Sequence, residues 1–283
     1  MTPRPELNFA HCLHVHKLQR PWQRALVRPG ALDKRDGRRT WTQLTFDELH
    51  ELTDAYARGF ATEAGLVAGD RVVLLVEPSF EFFAVSFALF KLGCVPVLID
   101  PGMGLDGFLS CVEEIKPRVC VGVPKAMLLS KVKGAAFASL EQRITVGPST
   151  WFWGGTTLPL CYKPEYADHP THPVTEDTEA AILFTSGSTG PAKGVRYTHG
   201  MFNTQARRIA QLYGVQPGQV DVPCFLPFAM FSCTMGMTVV LPDMDFSKPA
   251  TAEPEKLVEA VLAHGADQLV ASPAVLERLG FWC

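Results

Sequence analysis

A short stretch rich in hydroxyl groups and glycine, with one lysine, is the part of this sequence best suited to chemistry. Residues 181 to 200 read AILFTSGSTGPAKGVRYTHG, and the apolar start at 181 to 184 is typical of a strand buried inside a parallel sheet. The part that follows keeps its side chains small and includes a cation, Lys193. Such a loop can hold a phosphate, because without bulky Cβ groups the backbone N–H groups approach the oxygens closely.

The spacing of this loop excludes the two commonest nucleotide-binding loops. It matches neither G-x-x-x-x-G-K-[ST] nor the dinucleotide pattern G-x-G-x-x-G. On composition alone, a plain solvated turn of serine and glycine remains an alternative. The candidate phosphate-binding residues are Thr185, Ser186, Gly187, Ser188, Thr189, Gly190, Lys193 and Gly194.

The bulk composition indicates a folded protein without a polyanionic partner. The chain has 283 residues and is 47% hydrophobic, enough for one large α/β domain or two smaller ones. A net charge of −3 with scattered Lys and Arg argues against nucleic acid. The longest apolar run, at 82 to 90, is about half the length that crosses a bilayer, and the N-terminus lacks a secretory signal. We therefore expect a soluble, cytoplasmic protein.

Cysteine and histidine usage gives no clear metal site. The 8 cysteines form no C-x-x-C pair and mostly lie in apolar surroundings, as buried thiols of a reducing compartment do. One cluster, HCLHVH at 11 to 16, would bring His11 and His14 together on a helix, where they could share a metal ion. No second ligand group with zinc-like spacing follows, which favours an ordinary surface helix, and we predict no metal-binding residues.

Alternating strand and helix patterns predict how the loop is positioned. Thr45 and Glu48 stand at capping-box spacing before a helical pattern that ends near Gly65. A strand at 71 to 77, a largely buried helix at 79 to 93 and a strand at 94 to 100 then form a β-α-β unit, and the pattern recurs. The predicted fold class is α/β, with mostly parallel sheets and helices on both faces.

Three segments are predicted along the chain. Residues 1–147 would form a first α/β subdomain, and residues 178–283 a second one that carries the phosphate loop. Between them, residues 148–177 are rich in Pro, Gly, Thr and aromatic residues without periodicity, which predicts a long surface connection.

The loop also resembles a known signature. FTSGSTGPAKGV followed by THG is similar to the phosphate-binding motif of the adenylate-forming superfamily, which includes acyl-CoA synthetases, luciferases and peptide-synthetase adenylation domains. RRTWTQLTFDELHELTDAYARGF, AGDRVVLLVEPSFEFFAVSFALFKLGCVPVLIDP and ASPAVLERLG agree with the large N-terminal domain of that superfamily, so the resemblance covers nearly the whole chain. It favours the phosphate-binding interpretation over the solvated turn.

This resemblance implies a two-step ligase reaction. A carboxylate, here expected to be a fatty acyl group, attacks the α-phosphate of ATP to give an acyl-adenylate and pyrophosphate, and a second nucleophile then displaces AMP. The loop would hold the β- and γ-phosphates with the assistance of Mg²⁺, neutralising charge on the departing pyrophosphate and keeping the α-phosphorus in line.

Two departures from the usual pattern bear on the substrate. Pro191 stands one position earlier than usual, so that Ala192 precedes Lys193, with loop length unchanged. Many acyl-CoA synthetases carry Leu-Pro-x-Phe-His where this chain reads CFLPFAMFSCTMGMTVVLPDMDF, without a His. The PDMD ending resembles the olefin-biosynthesis branch, the β-lactone synthetases, in which the second nucleophile is the β-hydroxyl of the substrate. Phe228, Met230 and Phe231 could line an acyl chain, and ordinary core is an equal alternative.

Comparison with the superfamily also predicts what this chain lacks. The Tyr-Gly-x-Thr-Glu segment, the ribose-binding Asp, the hinge and the C-terminal domain with its catalytic Lys would all follow residue 283. We therefore expect a fragment or a natural short form, an incomplete N-terminal domain that is inactive alone and prone to self-association through exposed strand edges. The second hypothesis is a non-catalytic nucleotide- or acyl-binding protein derived from such an enzyme.

Overall fold

The computed structural model describes residues 2–33, 35, 38–148, 152–165, 167–185 and 193–282. Within these residues the helices are α1 (His11–Gln19), α2 (Phe46–Thr62), α3 (Phe80–Lys91), α4 (Gly104–Ile115), α5 (Pro124–Val132), α6 (His199–Tyr213), α7 (Leu226–Thr234), α8 (Pro254–His264) and α9 (Pro273–Trp282). The strands are β1 (Arg24–Leu32), β2 (Arg39–Thr45), β3 (Arg71–Leu75), β4 (Val95–Ile99), β5 (Val119–Gly122), β6 (Gln142–Thr145), β7 (Thr156–Thr157), β8 (Glu179–Thr185), β9 (Lys193–Thr198), β10 (Val220–Pro223), β11 (Thr238–Val240) and β12 (Gln268–Val270).

The strands form two mostly parallel sheets. The order of the larger sheet is β7-β6-β5-β3-β4-β8-β9, and its antiparallel pair is β8 with β9. The order of the smaller sheet is β12-β10-β11-β1-β2, and its antiparallel pair is β1 with β2. The remaining pairs are parallel, since β-α-β connections return each strand in the same direction. The predicted α/β fold class is confirmed.

The chain divides into two compact units, each assembled from separate stretches. The first unit contains Met1–His11, Glu51–Glu77 and Glu81–Asn203; the second contains Cys12–His50, Pro78–Phe80 and Thr204–Cys283. These units differ from the segments 1–147, 148–177 and 178–283 expected from the sequence. The reason is strand pairing, because β8 joins β4 in the larger sheet, whereas β1 joins β11 in the smaller one.

Helix α2 begins at the capping box that the sequence predicts. The backbone N–H of Thr45 donates to Glu48 Oε2 at 2.7 Å, and the N–H of Glu48 donates to Thr45 Oγ1 at 3.2 Å. Two N–H groups that lack helical partners are thereby satisfied. Gly65 follows the helix with φ of +63°, a left-handed conformation that glycine adopts without strain.

A buried helix and a buried ion pair organise the first unit. Helix α3 is buried along nearly its whole length, as its run of Phe and Ala predicts. Its last residue, Lys91, pairs with Asp54 of α2, and Asp54 also accepts a hydrogen bond from the N–H of His169 at 2.8 Å. A buried charge is tolerated only when it is paired and hydrogen-bonded, which explains why a lysine can end this helix inside the core.

Strand β9 is the element near the loop that the sequence pattern does not reveal. The helical pattern after the loop spans about 201 to 213 in the sequence, whereas in the structure β9 first pairs with β8 and α6 then begins at His199. As the edge strand of the larger sheet, β9 is largely exposed and carries Lys193 and Arg196. An exposed edge strand needs no continuous apolar run, so its sequence resembles a loop.

Candidate functional site

The candidate phosphate loop joins the two strands of a hairpin at the carboxyl end of β8. Thr185, the last residue of β8, pairs with Lys193, the first residue of β9, and Phe184 pairs with Gly194. The predicted residues Ser186, Gly187, Ser188, Thr189 and Gly190 lie outside the described residues, as do Pro191 and Ala192. The hairpin thus brings the two ends of the predicted site, Thr185 and Lys193, opposite each other on neighbouring strands.

Gly194 is required by packing beneath the loop. A Cβ at this position would lie 2.7 Å from Phe184 Cζ and 3.1 Å from Ile182 Cγ2, and both of those side chains are buried. The ring of Phe184 therefore lies against the backbone of β9 at the base of the hairpin. This arrangement fixes the strand that begins with Lys193, whose side chain is exposed and available to an anion.

The end of β4 lies beside the end of β8. The N–H of Asp100, the residue after β4, donates to the carbonyl of Phe184 at 3.1 Å. The Asp100 carboxylate accepts a hydrogen bond from the N–H of Gly102 at 2.8 Å, which caps a short 3-10 helix at Pro101–Met103. Open α/β sheets bind their ligands beyond the carboxyl ends of the strands, and the loop is at that end.

The sequence THG, at the end of β9 and the start of α6, has a structural explanation. Thr198 Oγ1 accepts a hydrogen bond from the N–H of Met201 at 3.1 Å and so caps α6. His199 is buried, and its Nδ1 accepts a hydrogen bond from the N–H of Phe9 at 3.0 Å. Burial lowers the pKa of His199 to about 4, so the ring is neutral at pH 7. Gly200 packs against Glu176, where a Cβ would lie 2.8 Å from the Glu176 carbonyl oxygen.

The three predicted acyl-site residues lie on α7 in the second unit. Met230 and Phe231 are buried and Phe228 is partly buried, with the centroids of the Phe228 and Phe231 rings 6.3 Å apart. The burial of Met230 and Phe231 agrees with ordinary core, and the partial exposure of Phe228 agrees with an acyl site.

A buried carboxyl group holds α7 against β10. Ser232 Oγ on α7 donates to Asp221 Oδ2 on β10 at 2.5 Å, and Asp221 is fully buried. Burial raises the pKa of Asp221 to about 6, with the Ser232 hydrogen bond acting in the opposite direction. Asp221 is not among the residues predicted from the sequence. Its signal was a single acidic residue inside the apolar strand VDVP.

A cavity of about 590 Å³ lies at the opposite end of the larger sheet, where β3, β4 and β8 begin. Its lining includes Arg71, Lys116, Arg118 and Glu179, and Arg118 pairs with Asp70 at its wall. Of the predicted phosphate-site and acyl-site residues that the structure describes, none lines it. Because Thr185 and Lys193 lie at the carboxyl end of β8, this cavity of the first unit is separate from both of them.

The parallel α/β units with a glycine-rich loop after a strand define a class of nucleotide-binding enzyme folds, and comparison with known proteins identifies the family. The model of the AMP-binding enzyme family matches residues 16–280, and the chain belongs to this family. Over 273 residues it is 41% identical to an olefin beta-lactone synthetase of Xanthomonas campestris pv. campestris, and over 274 residues it is 40% identical to one of Stenotrophomonas maltophilia. Both alignments cover 96% of this chain and 49% of the relative, so the chain spans about half the length of these relatives.

A solved structure supports the fold assignment. The long-chain-fatty-acid-CoA ligase FadD1 from Archaeoglobus fulgidus superposes with a TM-score of 0.78 and 19% identity, over 98% of this chain and 54% of that one.

The length and apolar character of the helices were compared with those of a membrane span. Among the helices of the described residues, none combines the length and the apolar character needed to cross a bilayer.

Proposed function

We propose that this chain is the nucleotide-phosphate-binding part of an ATP-dependent ligase that activates fatty acids or β-hydroxy fatty acids. The observation that carries the proposal is the 41% identity to an olefin beta-lactone synthetase over 96% of the chain, which includes the loop after β8. Membership of the AMP-binding enzyme family supports carboxylate activation with ATP. The same identity favours β-lactone formation over transfer to coenzyme A as the second step.

The described residues fit a polyphosphate at the end of β8. Lys193 supplies an exposed cation directly opposite Thr185, and Gly194 lets the backbone of β9 lie against Phe184. We assign the binding of the β- and γ-phosphates to Thr185, Ser186, Gly187, Ser188, Thr189, Gly190, Lys193 and Gly194. When bound, Mg²⁺ would neutralise phosphate charge. The contribution of the chain is to orient the phosphates and to balance their charge with Lys193.

We propose that α7 contributes to the site of the acyl chain. Phe228, Met230 and Phe231 are apolar residues of one helix. Phe228 is partly buried and Phe225 before the helix is about half exposed, whereas Met230 and Phe231 are buried. An apolar wall suits a long alkyl chain, whose binding is driven by removal of its surface from water.

An ATP–pyrophosphate exchange assay tests this function. Exchange requires adenylation, so a protein that only binds nucleotide or acyl groups gives none. Because the relatives are about twice as long, we would assay residues 1–283 alone and together with the C-terminal half of the Xanthomonas campestris synthetase. We expect exchange only in the combined sample, because misplacement of a reacting group by about 1 Å can lower a rate about 100-fold. Exchange by residues 1–283 alone would refute the prediction that this chain is inactive alone. The absence of exchange from both samples would favour the second hypothesis, a non-catalytic nucleotide- or acyl-binding protein.

A lysine substitution tests the assignment of the loop. Lys193→Ala in the combined sample should lower exchange by about 100-fold, as the loss of one charge-stabilising group typically does. Lys248→Ala is the matched control, because it removes the same charge from a residue outside the hairpin. Equal effects of the two substitutions on exchange would contradict the assignment.

A further inference from the structure

Three helix-to-strand connections meet at one edge of the second unit. Strands β1, β10 and β12 run parallel in the smaller sheet, so their amino-terminal ends lie on the same side. The connections that lead into them are residues 20–23 after α1, residues 214–219 after α6 and residues 265–267 after α8. We call this region the amino-terminal edge of the smaller sheet, together with the last two turns of those three helices.

Hydrogen bonds join these connections into one surface. Gly236 lies in the connection between α7 and β11, and its carbonyl accepts two hydrogen bonds. Gln23 Nε2 donates to it at 2.7 Å, and the N–H of Gly218 donates to it at 2.9 Å. On the other side, Arg24 Nη1 lies 3.2 Å from His264 Nδ1 at the end of α8. The connection after α1 is therefore adjacent to the other two.

Large apolar side chains project from this edge into solvent. They are 69% to 81% exposed, and each stands in the last turn of one of the three helices or in the connection after it: Leu18, Trp22, Leu212, Tyr213 and Leu262. Single exposed leucines are common on protein surfaces. Their recurrence at three helix ends of one edge, together with a Trp and a Tyr, is not expected of a surface that only faces water.

The charge of this edge is opposite to that of the whole chain. The chain carries −3, whereas the cationic side chains of the edge are Lys17, Arg20, Arg24, Arg207 and Arg208. Three acidic residues lie in or beside the edge, and each has a partner. The N–H of Asp47 donates to the carbonyl of Pro21 at 3.1 Å, the Glu259 carboxylate pairs with Arg39 Nε at 2.9 Å, and the Asp267 carboxylate accepts a hydrogen bond from the N–H of Val220 at 2.7 Å. The edge is therefore cationic on balance, and the helix carboxyl ends beneath it favour those cations.

We propose that the amino-terminal edge of the smaller sheet docks on an anionic phospholipid surface. Trp and Tyr prefer the headgroup region of a bilayer, leucine side chains enter the acyl boundary, and Lys and Arg attract anionic headgroups. The apolar side chains stand on three separate helix ends, and a fluid surface adapts to such a spacing more readily than a second protein copy does. The proposal goes beyond the ligase function and does not depend on it.

Vesicle flotation of residues 1–283 tests the docking, since only protein bound to vesicles floats and self-associated protein does not. We expect residues 1–283 to bind vesicles of phosphatidylcholine with phosphatidylglycerol, to bind phosphatidylcholine alone weakly, and to be released by salt. Arg208→Glu should weaken binding about 25-fold, because it removes one cation and adds one anion, and each charge near an anionic surface changes the affinity about fivefold. Lys131→Glu is the matched control, since it makes the same charge change on an exposed residue of α5. Equal weakening by both substitutions would overturn the proposal.

Apolar substitutions and fluorescence provide an independent readout. Leu212→Ser should weaken vesicle binding, and Leu160→Ser, at another exposed leucine, should not. Brominated lipids should quench the fluorescence of the chain, and Trp22→Phe should remove most of that quenching. Quenching that is unchanged by Trp22→Phe would overturn the proposal. The proposal would also be overturned if Leu212→Ser changed the oligomeric state and left vesicle binding unchanged, because the edge would then be a contact between copies of the chain.

Discussion

At the residue scale, Gly194 belongs to the candidate phosphate site and also packs against the core. The buried ring of Phe184 occupies the space where a side chain at position 194 would lie. Gly194→Ala should lower the free energy of unfolding by about 1–3 kcal/mol, the usual penalty for overpacking a core. The displaced hairpin should also weaken nucleotide binding. Urea unfolding and nucleotide titration measure the two effects.

The control for this prediction is Gly280→Ala. A Cβ at Gly280 meets no atom within 4 Å, and this glycine lies inside α9, where alanine is favoured by up to about 1 kcal/mol. We expect Gly280→Ala to be neutral or stabilising. Destabilisation of equal size at both positions would show that the close contact with Phe184 is not the cause.

At the scale of elements, Asp221 couples the position of α7 to pH. Its pKa in the fold is raised from 3.8 to about 6 because burial disfavours the carboxylate. The folded state thus holds this proton more tightly than the unfolded state does, so its contribution to stability is complete below about pH 4 and is lost as pH rises through about 6. At pH 7 the loss amounts to about 3 kcal/mol.

Asp221→Asn tests this coupling. The free energy of unfolding of the variant, relative to the unsubstituted chain, should increase between about pH 4 and pH 6 and stay level above that range, because the amide does not ionise. His16 and His199 have pKa values lowered to about 4 by burial and favour the fold as pH rises, but they contribute equally to both proteins. Asp245→Asn, at an exposed residue whose pKa is lowered by Ser247, should show no such increase. A relative stability that is constant with pH would refute the coupling.

At the scale of the whole molecule, an edge strand of the smaller sheet, β12, bears on self-association. Strand β12 pairs with β10 on one side, and its residues are only partly buried. Leu276, Phe281 and Trp282 of the adjacent α9 are exposed. An open strand edge beside apolar surface is a template for association, so residues 1–283 should be oligomeric or poorly soluble.

Size-exclusion chromatography with light scattering, combined with a thermal melt, measures this self-association. Phe281→Asp should raise the monomer fraction, because it places a charge in the exposed apolar surface beside β12. Val132→Asp, at an exposed residue of α5, is the control. A monomer with a sharp, cooperative transition before any substitution would contradict the prediction and would support the binding-protein hypothesis.

The local elements and the candidate phosphate loop could be predicted from the sequence. The hydroxyls, glycines and lysine after Phe184 predict a phosphate loop, and the capping box of Thr45 and Glu48 fixes the start of α2. These features depend on residues close together in the chain, whose spacing is visible in the sequence.

The tertiary structure alone decided which strands share a sheet and which polar groups are buried. β8 joins β4 and β1 joins β11 across long separations, because strand pairing depends on surfaces that only the assembled helices and strands present. Asp221 and His199 owe their shifted pKa values to burial, and the exposed residues of the amino-terminal edge become one surface only when three separate connections meet. Such properties arise between residues distant in sequence, so local spacing could not reveal them.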